Sequence, residues 1–267
     1  MFTHVWPIPN NVSIAMTNRH GGVSHPPFDS LNLGTHVGDV VADVLANRQI
    51  LQSSLKLSTP ITWLEQVHGT DVLDLAELNI PPVTDIHLNT DSHSNTGIHS
   101  RLIGDENLRF DAVYTNLPNR VCAVMTADCL PILLCDTQGT EVAAVHAGWR
   151  GLCHGVIEAT VAKFQCPTAN IIAYLGPAIG PLAFEVGAEV REAFCAKDAD
   201  AAQYFCARGG KFLANLEGLA QLRLQALGIH AIHSASVCTF TNLDYFSYRR
   251  GSPTGRMASL VWLKPKG

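Results

Sequence analysis

Thr126-Ala-Asp-Cys-Leu-Pro-Ile-Leu-Leu-Cys-Asp-Thr-Gln-Gly-Thr-Glu-Val-Ala-Ala-Val-His-Ala-Gly-Trp-Arg-Gly151 carries two apolar runs around one polar turn. Ile132-Leu-Leu-Cys135 and Val142-Ala-Ala-Val145 read as two buried strands, and Asp136-Thr-Gln-Gly139 supplies the turn chemistry between them. Two strands joined so tightly bring their far ends together. A thiol, Cys129, and an imidazole, His146, therefore stand at the mouths of neighbouring strands, bordered by small residues that leave room for a ligand.

Outward from this pair, the rest of the chain reads as a mixture of helices and strands. Ile14 to Met16 predicts a strand that enters the glycine-rich turn Arg19-His-Gly-Gly-Val-Ser24, and Ser30 to Asp39 follows as a loop. Asp39 predicts a helix start, with Val41, Val44, Leu45 and Ile50 at helical spacing up to Leu55. Strands are expected at Ile61 to Leu64, Val72 to Leu75, Ile171 to Leu175, Ile232 to Cys238 and Ser259 to Leu263. Helices are expected over Gly151 to Phe164, about Gly187 to Cys195, and about Asn215 to Leu227. The pattern, with no repeat and no Pro/Ser-rich linker, predicts an α/β (α+β) chain. It is read as a single layered domain, 1–267, with mixed β-sheets flanked by helices. A polar segment at about 79–109 interrupts it and reads as an insertion loop. Its His87, His93 and His99 lie in a polar stretch without an evident scaffold, which favours solvated histidines over a metal site.

The composition narrows the classes of partner. With 267 residues, 47% apolar and 15% charged, the chain is a well-buried globular protein. A net charge of −5 and no basic cluster beyond Arg249-Arg250 remove the electrostatic footprint of nucleic-acid binding. No apolar stretch is long enough to cross a bilayer and no signal peptide is legible, so a cytoplasmic protein is expected. Eight cysteines without regular short spacings read as reduced thiols, with Cys122, Cys135, Cys153 and Cys195 inside apolar segments.

His68, Cys129 and His146 together form a candidate metal site. A thiolate and two neutral imidazoles are ordinary zinc ligands, and three protein ligands leave a fourth position for water. The same residues also read differently: His68 as a solvated loop histidine, Cys129 as a buried hydrophobe, His146 as a core histidine. A metal-free Cys129-His146 pair, thiolate and base, suits a hydrolase. Asp128 is either a proton carrier or second ligand-orienting group, or a turn cap. Arg19 and Arg249 are candidate anion contacts because a guanidinium fork matches phosphate oxygens. Phosphate-loop, dinucleotide and zinc nucleobase deaminase motifs are absent, and no His-x-His pair exists for a trinuclear copper centre.

Taken together, Thr17-Asn-Arg-His-Gly-Gly-Val-Ser24, Ser30-Leu-Asn-Leu-Gly34, His36-Val-Gly-Asp39, Gln66-Val-His68, Thr126 to Pro131, His146 to Gly151, Gly176-Pro-Ala-Ile-Gly180 with Phe184-Glu-Val-Gly187, and Phe246-Ser-Tyr-Arg-Arg250 with Thr254-Gly-Arg256 resemble the YfiH-like family. That family is also called laccase-domain or multicopper polyphenol oxidase-like, and its members have been described as purine nucleoside phosphorylases. The resemblance implies a YfiH-like layered fold and a catalytic zinc on His68, Cys129 and His146. It further implies phosphorolysis of adenosine, inosine, guanosine and S-methyl-5′-thioadenosine, with adenosine deamination at the same site. Purine nucleosides and phosphate are then the partners, with Arg19, Asn32 and Arg249 as candidate binding residues. Three other functions remain open: copper-dependent oxidation of phenols, a Cys-His hydrolase in peptidoglycan quality control, and a non-enzymatic binding module. The insertion departs from the family pattern and bears on the pocket entrance.

Overall fold

A computed structural model describes residues 6–78 and 108–265. Most of the polar insertion, with His87, His93 and His99, lies outside the described residues. In chain order the elements are β1 (Val12–Met16), α1 (Val41–Ser54), β2 (Val72–Asp74), β3 (Ala112–Thr115), β4 (Val121–Thr126), β5 (Leu130–Asp136) and β6 (Val142–Ala147). Then come α2 (Trp149–His154), α3 (Val156–Val161), β7 (Ile171–Leu175), β8 (Glu185–Val186), α4 (Ala188–Lys197), β9 (Phe205–Arg208), β10 (Lys211–Ala214), α5 (Leu216–Ala226), β11 (Ala231–Ser234) and β12 (Met257–Leu263).

Among the described residues the strands form three sheets. A six-stranded mixed sheet has the order β11-β7-β5-β6-β3-β2, with β11/β7 and β3/β2 parallel and the inner pairs antiparallel. An antiparallel sheet of order β1-β12-β4 and a smaller one of order β8-β10-β9 complete the set. The central strands read as continuous apolar runs because both of their faces are buried. Alternation sorts their side chains between two cores: Leu130, Ile132 and Leu134 of β5 join the cluster that includes Leu152, Ile157, Phe194 and Leu219 of the helices. Leu133 and Cys135 point the other way, to Cys122 and Val124 of β4 and Val261 of β12. A third cluster places Val121, Ala123 and Met125, on the far face of β4, with Leu51 of α1 and with Ile61 and Trp63. Helices, six-stranded sheet, three-stranded sheet and α1 thus stack in layers. Truncating a fully buried leucine such as Leu133 costs about 2–5 kcal/mol.

Several elements differ from the sequence reading. The helix expected over 151–164 is two short helices, because Gly155 lies at φ 105°, in the left-handed region, and ends α2 there. Residues 61–64 are not a sheet strand: Ile61, Trp63 and Leu64 are buried, but the segment runs outside the sheets. β11 ends at Ser234, so residues 235–238 lie outside it, and the β9-β10 hairpin has no counterpart among the strands expected from the sequence. Asp39 does not cap α1, whose first residue is Val41 and whose N-cap Val40 has no side-chain cap bond. Cys195 is only half-buried, whereas Cys122, Cys135 and Cys153 are in the core, and all eight cysteines are free. Among the described residues no helix is long and apolar enough to cross a membrane.

Candidate metal centre

β5 and β6 are antiparallel, so the start of one and the end of the other meet, with Pro131 opposite His146. Cys129 lies one residue before β5, and His146 is the penultimate residue of β6. His68 arrives from a turn that precedes β2, the edge strand beside β3. It adopts φ 61°, a left-handed conformation that histidine tolerates better than most residues. The potential ligand atoms of His68, Cys129 and His146 all lie within 4.8 Å of one another. Cys129 Sγ is 3.8 Å from His68 Nε2, and the two imidazoles meet edge-on with centroids 4.8 Å apart.

Asp111, which sequence reasoning missed, holds this arrangement together. Its fully buried carboxylate accepts His146 Nδ1–H at 2.7 Å, the backbone N–H of His68 at 2.9 Å, and those of Gly69 and Val67 at 2.6 and 3.2 Å. The proton belongs on Nδ1 because it faces a carboxylate, which leaves Nε2 of His146 for the cluster. Burial alone would raise the Asp111 pKa, but the His146 contact and the Gly69 and His68 amides outweigh it and hold the carboxyl below its usual value.

The charges within the cluster are mutually stabilising. Burial pushes the Cys129 thiol up, but His146 and His68 overcome this and bring it down to about 6. Burial likewise depresses His146, while the Cys129 thiolate and Asp111 raise it to about 9. The site therefore favours a thiolate, the form that binds metal or attacks an electrophile.

The donor set fits a zinc-type cation. Tetrahedral ligands at ordinary Zn–S and Zn–N lengths stand about 3.5 Å apart, close to the separation of Cys129 Sγ and His68 Nε2. A carboxylate behind a ligating imidazole is the usual outer support of such a site. Gly148 makes the approach possible: a Cβ there would come within 2.7 Å of His68 Cδ2 and 3.2 Å of Cys129 Sγ. Among the described residues this is the one cluster of three or more such donors.

The cluster opens into a cavity of about 470 Å³, a size typical of small-molecule sites. Trp149, Ile179, Phe184 and Leu216 give it apolar walls, and His36, Gln66, Tyr248, Arg150, Arg249 and Arg256 give it polar ones. Asp128 lines it too, at φ 90°, but both its oxygens are engaged: Oδ1 accepts Thr239 Oγ1–H and Oδ2 accepts Arg249 N–H, each at 2.7 Å. It positions the Arg249 segment. The Arg249 side chain donates to Glu185 O at 2.9 Å and stands over the Phe184 ring.

Arg19 and Asn32 are not brought to the cavity. Arg19 is paired with Asp29 and lies over Phe246. Asn32 is buried and accepts the Gly34 and Arg256 amides, so it places Arg256, a cavity residue, without lining the cavity itself. Asp111 carries no local signal, since it acts on residues far away in sequence, and Arg256 lies in the Thr254-Gly-Arg256 stretch that carries the resemblance without standing out there as a cavity residue.

Known proteins share this architecture. Purine nucleoside phosphorylase YfiH of Escherichia coli K12 is 49% identical over 261 residues, covering 97% of this chain and 96% of that protein. Purine nucleoside phosphorylase PA4543 of Pseudomonas aeruginosa is 45% identical, with 97% and 96% covered. The crystal structure of Neisseria meningitidis protein NMB0706 superposes with a TM-score of 0.84 at 44% identity, over 97% of each chain. YlmD from Geobacillus stearothermophilus does so at 0.81 and 27% identity, over 96% of this chain and 93% of its own. The profile of one family, described as multi-copper polyphenol oxidoreductase laccase, matches residues 13–264, and the chain belongs to that YfiH-containing family.

Proposed function

We propose that this protein is a zinc-dependent purine nucleoside phosphorylase that cleaves adenosine, inosine, guanosine and S-methyl-5′-thioadenosine and also deaminates adenosine. The observation that carries the reading is the convergence of His68, Cys129 and His146 on the floor of a cavity walled by Trp149, Ile179, Phe184 and Leu216. The names of the relatives supply the substrate class.

Zinc bound by the three donors would supply Lewis acidity to the cavity. The chain's own residues do the rest. Asp111 fixes the His146 tautomer and the His68 turn. The apolar walls suit the faces of a purine and exclude water from the ribosyl carbon. Arginines on the polar side suit an anionic co-substrate. A purine nucleoside has both a flat apolar base and, in phosphorolysis, a phosphate beside it.

The test is zinc-replete protein incubated with inosine and phosphate, with hypoxanthine followed by chromatography and metal content measured on the same sample. Phosphate-dependent release, lost together with zinc in Cys129→Ser, is expected. No release from wild type, or equal release by Cys129→Ser, overturns the proposal. The low Cys129 pKa favours one second reading, a metal-free thiolate hydrolase. Turnover that survives chelation but not thiol alkylation would select it. The copper-oxidase expectation is answered by oxygen uptake with a phenol at stoichiometric copper.

A further inference from the structure

The cavity is cationic in a chain whose net charge is −5. Arg150, Arg249 and Arg256 line it against one carboxylate, Asp128, whose oxygens are both occupied. Such a concentration of one sign in a cleft attracts ions of the other. The three arginines are not equivalent. Arg150 is exposed and lies over Trp149, and Arg249 is committed to Glu185 O and the Phe184 ring.

Arg256 is held differently. Its backbone is tied at both ends, N–H to Asn32 Oδ1 at 2.9 Å and C=O to Leu33 N–H at 3.1 Å. Its stem packs on Gly34, where a Cβ would come within 2.8 Å of Arg256 Cγ. Nη1 donates to Thr254 O and Gly255 O, which aims the fork without neutralising it. Among the described residues no carboxylate is paired with it, although burial depresses its pKa and the charges of Cys129, Asp128 and Tyr248 bear on it. His36 stands beside it, its imidazole 3.4 Å from the Cβ position of Gly34, with neither ring nitrogen hydrogen-bonded among the described residues. A rigidly placed, partly desolvated guanidinium without an acid partner, next to an idle imidazole, is the chemistry of an oxyanion site.

We propose that Arg256, with His36, binds the attacking inorganic phosphate beside the His68/Cys129/His146 cluster. This rests on the phosphorylase reading of the same cavity. In the step, an oxygen of HPO4²⁻ forms a bond to the ribosyl C1′ while the C1′–N9 bond breaks. The electron pair leaves with the purine, which takes up one proton as the phosphate gives up its own. No other reactant is needed. Arg256 donates to the phosphate and offsets its charge, and the His36 ring supplies a further N–H.

Arg256→Gln and Arg256→Lys test this in the full-length zinc-loaded protein, each checked for wild-type melting temperature and zinc content. For Arg256→Gln the KM for phosphate is expected to rise about 10- to 100-fold, the loss of one charge-assisted contact, while the KM for inosine stays within about twofold. Arg256→Lys, which keeps the charge but not the fork, falls between. Equal effects on both KM values, or no effect on phosphate, overturn the assignment. If wild type cleaves no nucleoside, the phosphorylase reading fails by itself, and the subsite is judged by ³¹P line broadening of inorganic phosphate. Broadening by wild type that Arg256→Gln abolishes upholds the anion site. Identical broadening by both, or none by wild type, removes it.

Discussion

In an Asp111→Asn variant the buried carboxylate becomes an amide of nearly the same shape, so only hydrogen-bond polarity changes. If the amide oxygen takes the Oδ1 position, it still accepts His146 Nδ1–H and His68 N–H. The amide nitrogen then faces the N–H groups of Gly69 and Val67, donor against donor. Each unsatisfied N–H costs about 1–3 kcal/mol, so the metal-free variant should be less stable by about 2–6 kcal/mol. Because both orphaned amides flank His68, the candidate metal site loosens as well. Losing such outer support lowers metal affinity by about 10- to 100-fold. Urea unfolding of the metal-free protein and competitive zinc titration measure the two effects separately. The pH dependence adds a sign. A carboxyl held below its usual pKa contributes stability that is fully present above that usual value and is lost as pH falls through the folded one, so wild type has an acid limb that the variant lacks. An Asp111→Asn protein with wild-type unfolding midpoint and zinc affinity would refute the reasoning.

Gly148→Ala places a methyl against His68 Cδ2 and Cys129 Sγ while the backbone, at φ −63°, accepts alanine without strain. Zinc affinity should fall by about tenfold or more as the ring is displaced. In the metal-free form the cost of displacing the exposed His68 ring offsets the gain of about 0.4–1 kcal/mol that Gly→Ala brings through the unfolded chain, so stability should change by less than about 1 kcal/mol; a larger loss would contradict this. Asp128→Ala releases Thr239 and the Arg249 amide, and should raise the substrate KM while zinc content stays at the wild-type level; loss of zinc would refute the positioning role. Burial raises the Cys135 thiol to about 12, so the stability it contributes is fully present below pH 9.0 and is lost as pH rises through about 12. Melting temperature against pH should decline less steeply above pH 9 in Cys135→Ala than in wild type.

The β5-β6 hairpin was legible because apolar runs, a polar turn and two chemically active ends all fall within 26 consecutive residues. Cys129 and His146 stand out at the two ends of that hairpin, whereas His68 joined them as a candidate only through its residue type and the family resemblance, and the structure brings the three together. What escaped were residues whose role depends on distant partners. Asp111 follows Phe110 at the edge of an apolar strand, and nothing nearby says that its oxygens will hold residues 67–69 and 146. Arg256 falls in the Thr254-Gly-Arg256 stretch that carries the resemblance, but its place in the cavity shows only when Asn32 and Gly34 are brought against it. Residues 61–64 show the opposite error, since burial produces strand-like alternation even where no sheet edge is available. The α2/α3 break was hidden because apolar spacing continues across Gly155 while the backbone does not.

β12 lies between β1 and β4, and it is the last strand among the described residues. During synthesis, therefore, β1 and β4 leave the ribosome with one edge each unfilled, and the gap closes only when residues 257–263 arrive. Tyr248, Arg249 and Arg256 lie just before that strand, so these members of the cavity's polar wall arrive with it, after His36, Gln66 and Arg150. A nascent chain that already holds His68, Cys129 and His146 still lacks Arg249 and Arg256. Contacts closed over nearly the whole sequence form slowly, and two bare strand edges in the meantime invite pairing with other chains. The strand whose late arrival leaves those edges bare is thus also the one that follows Arg249 and Arg256 into the fold.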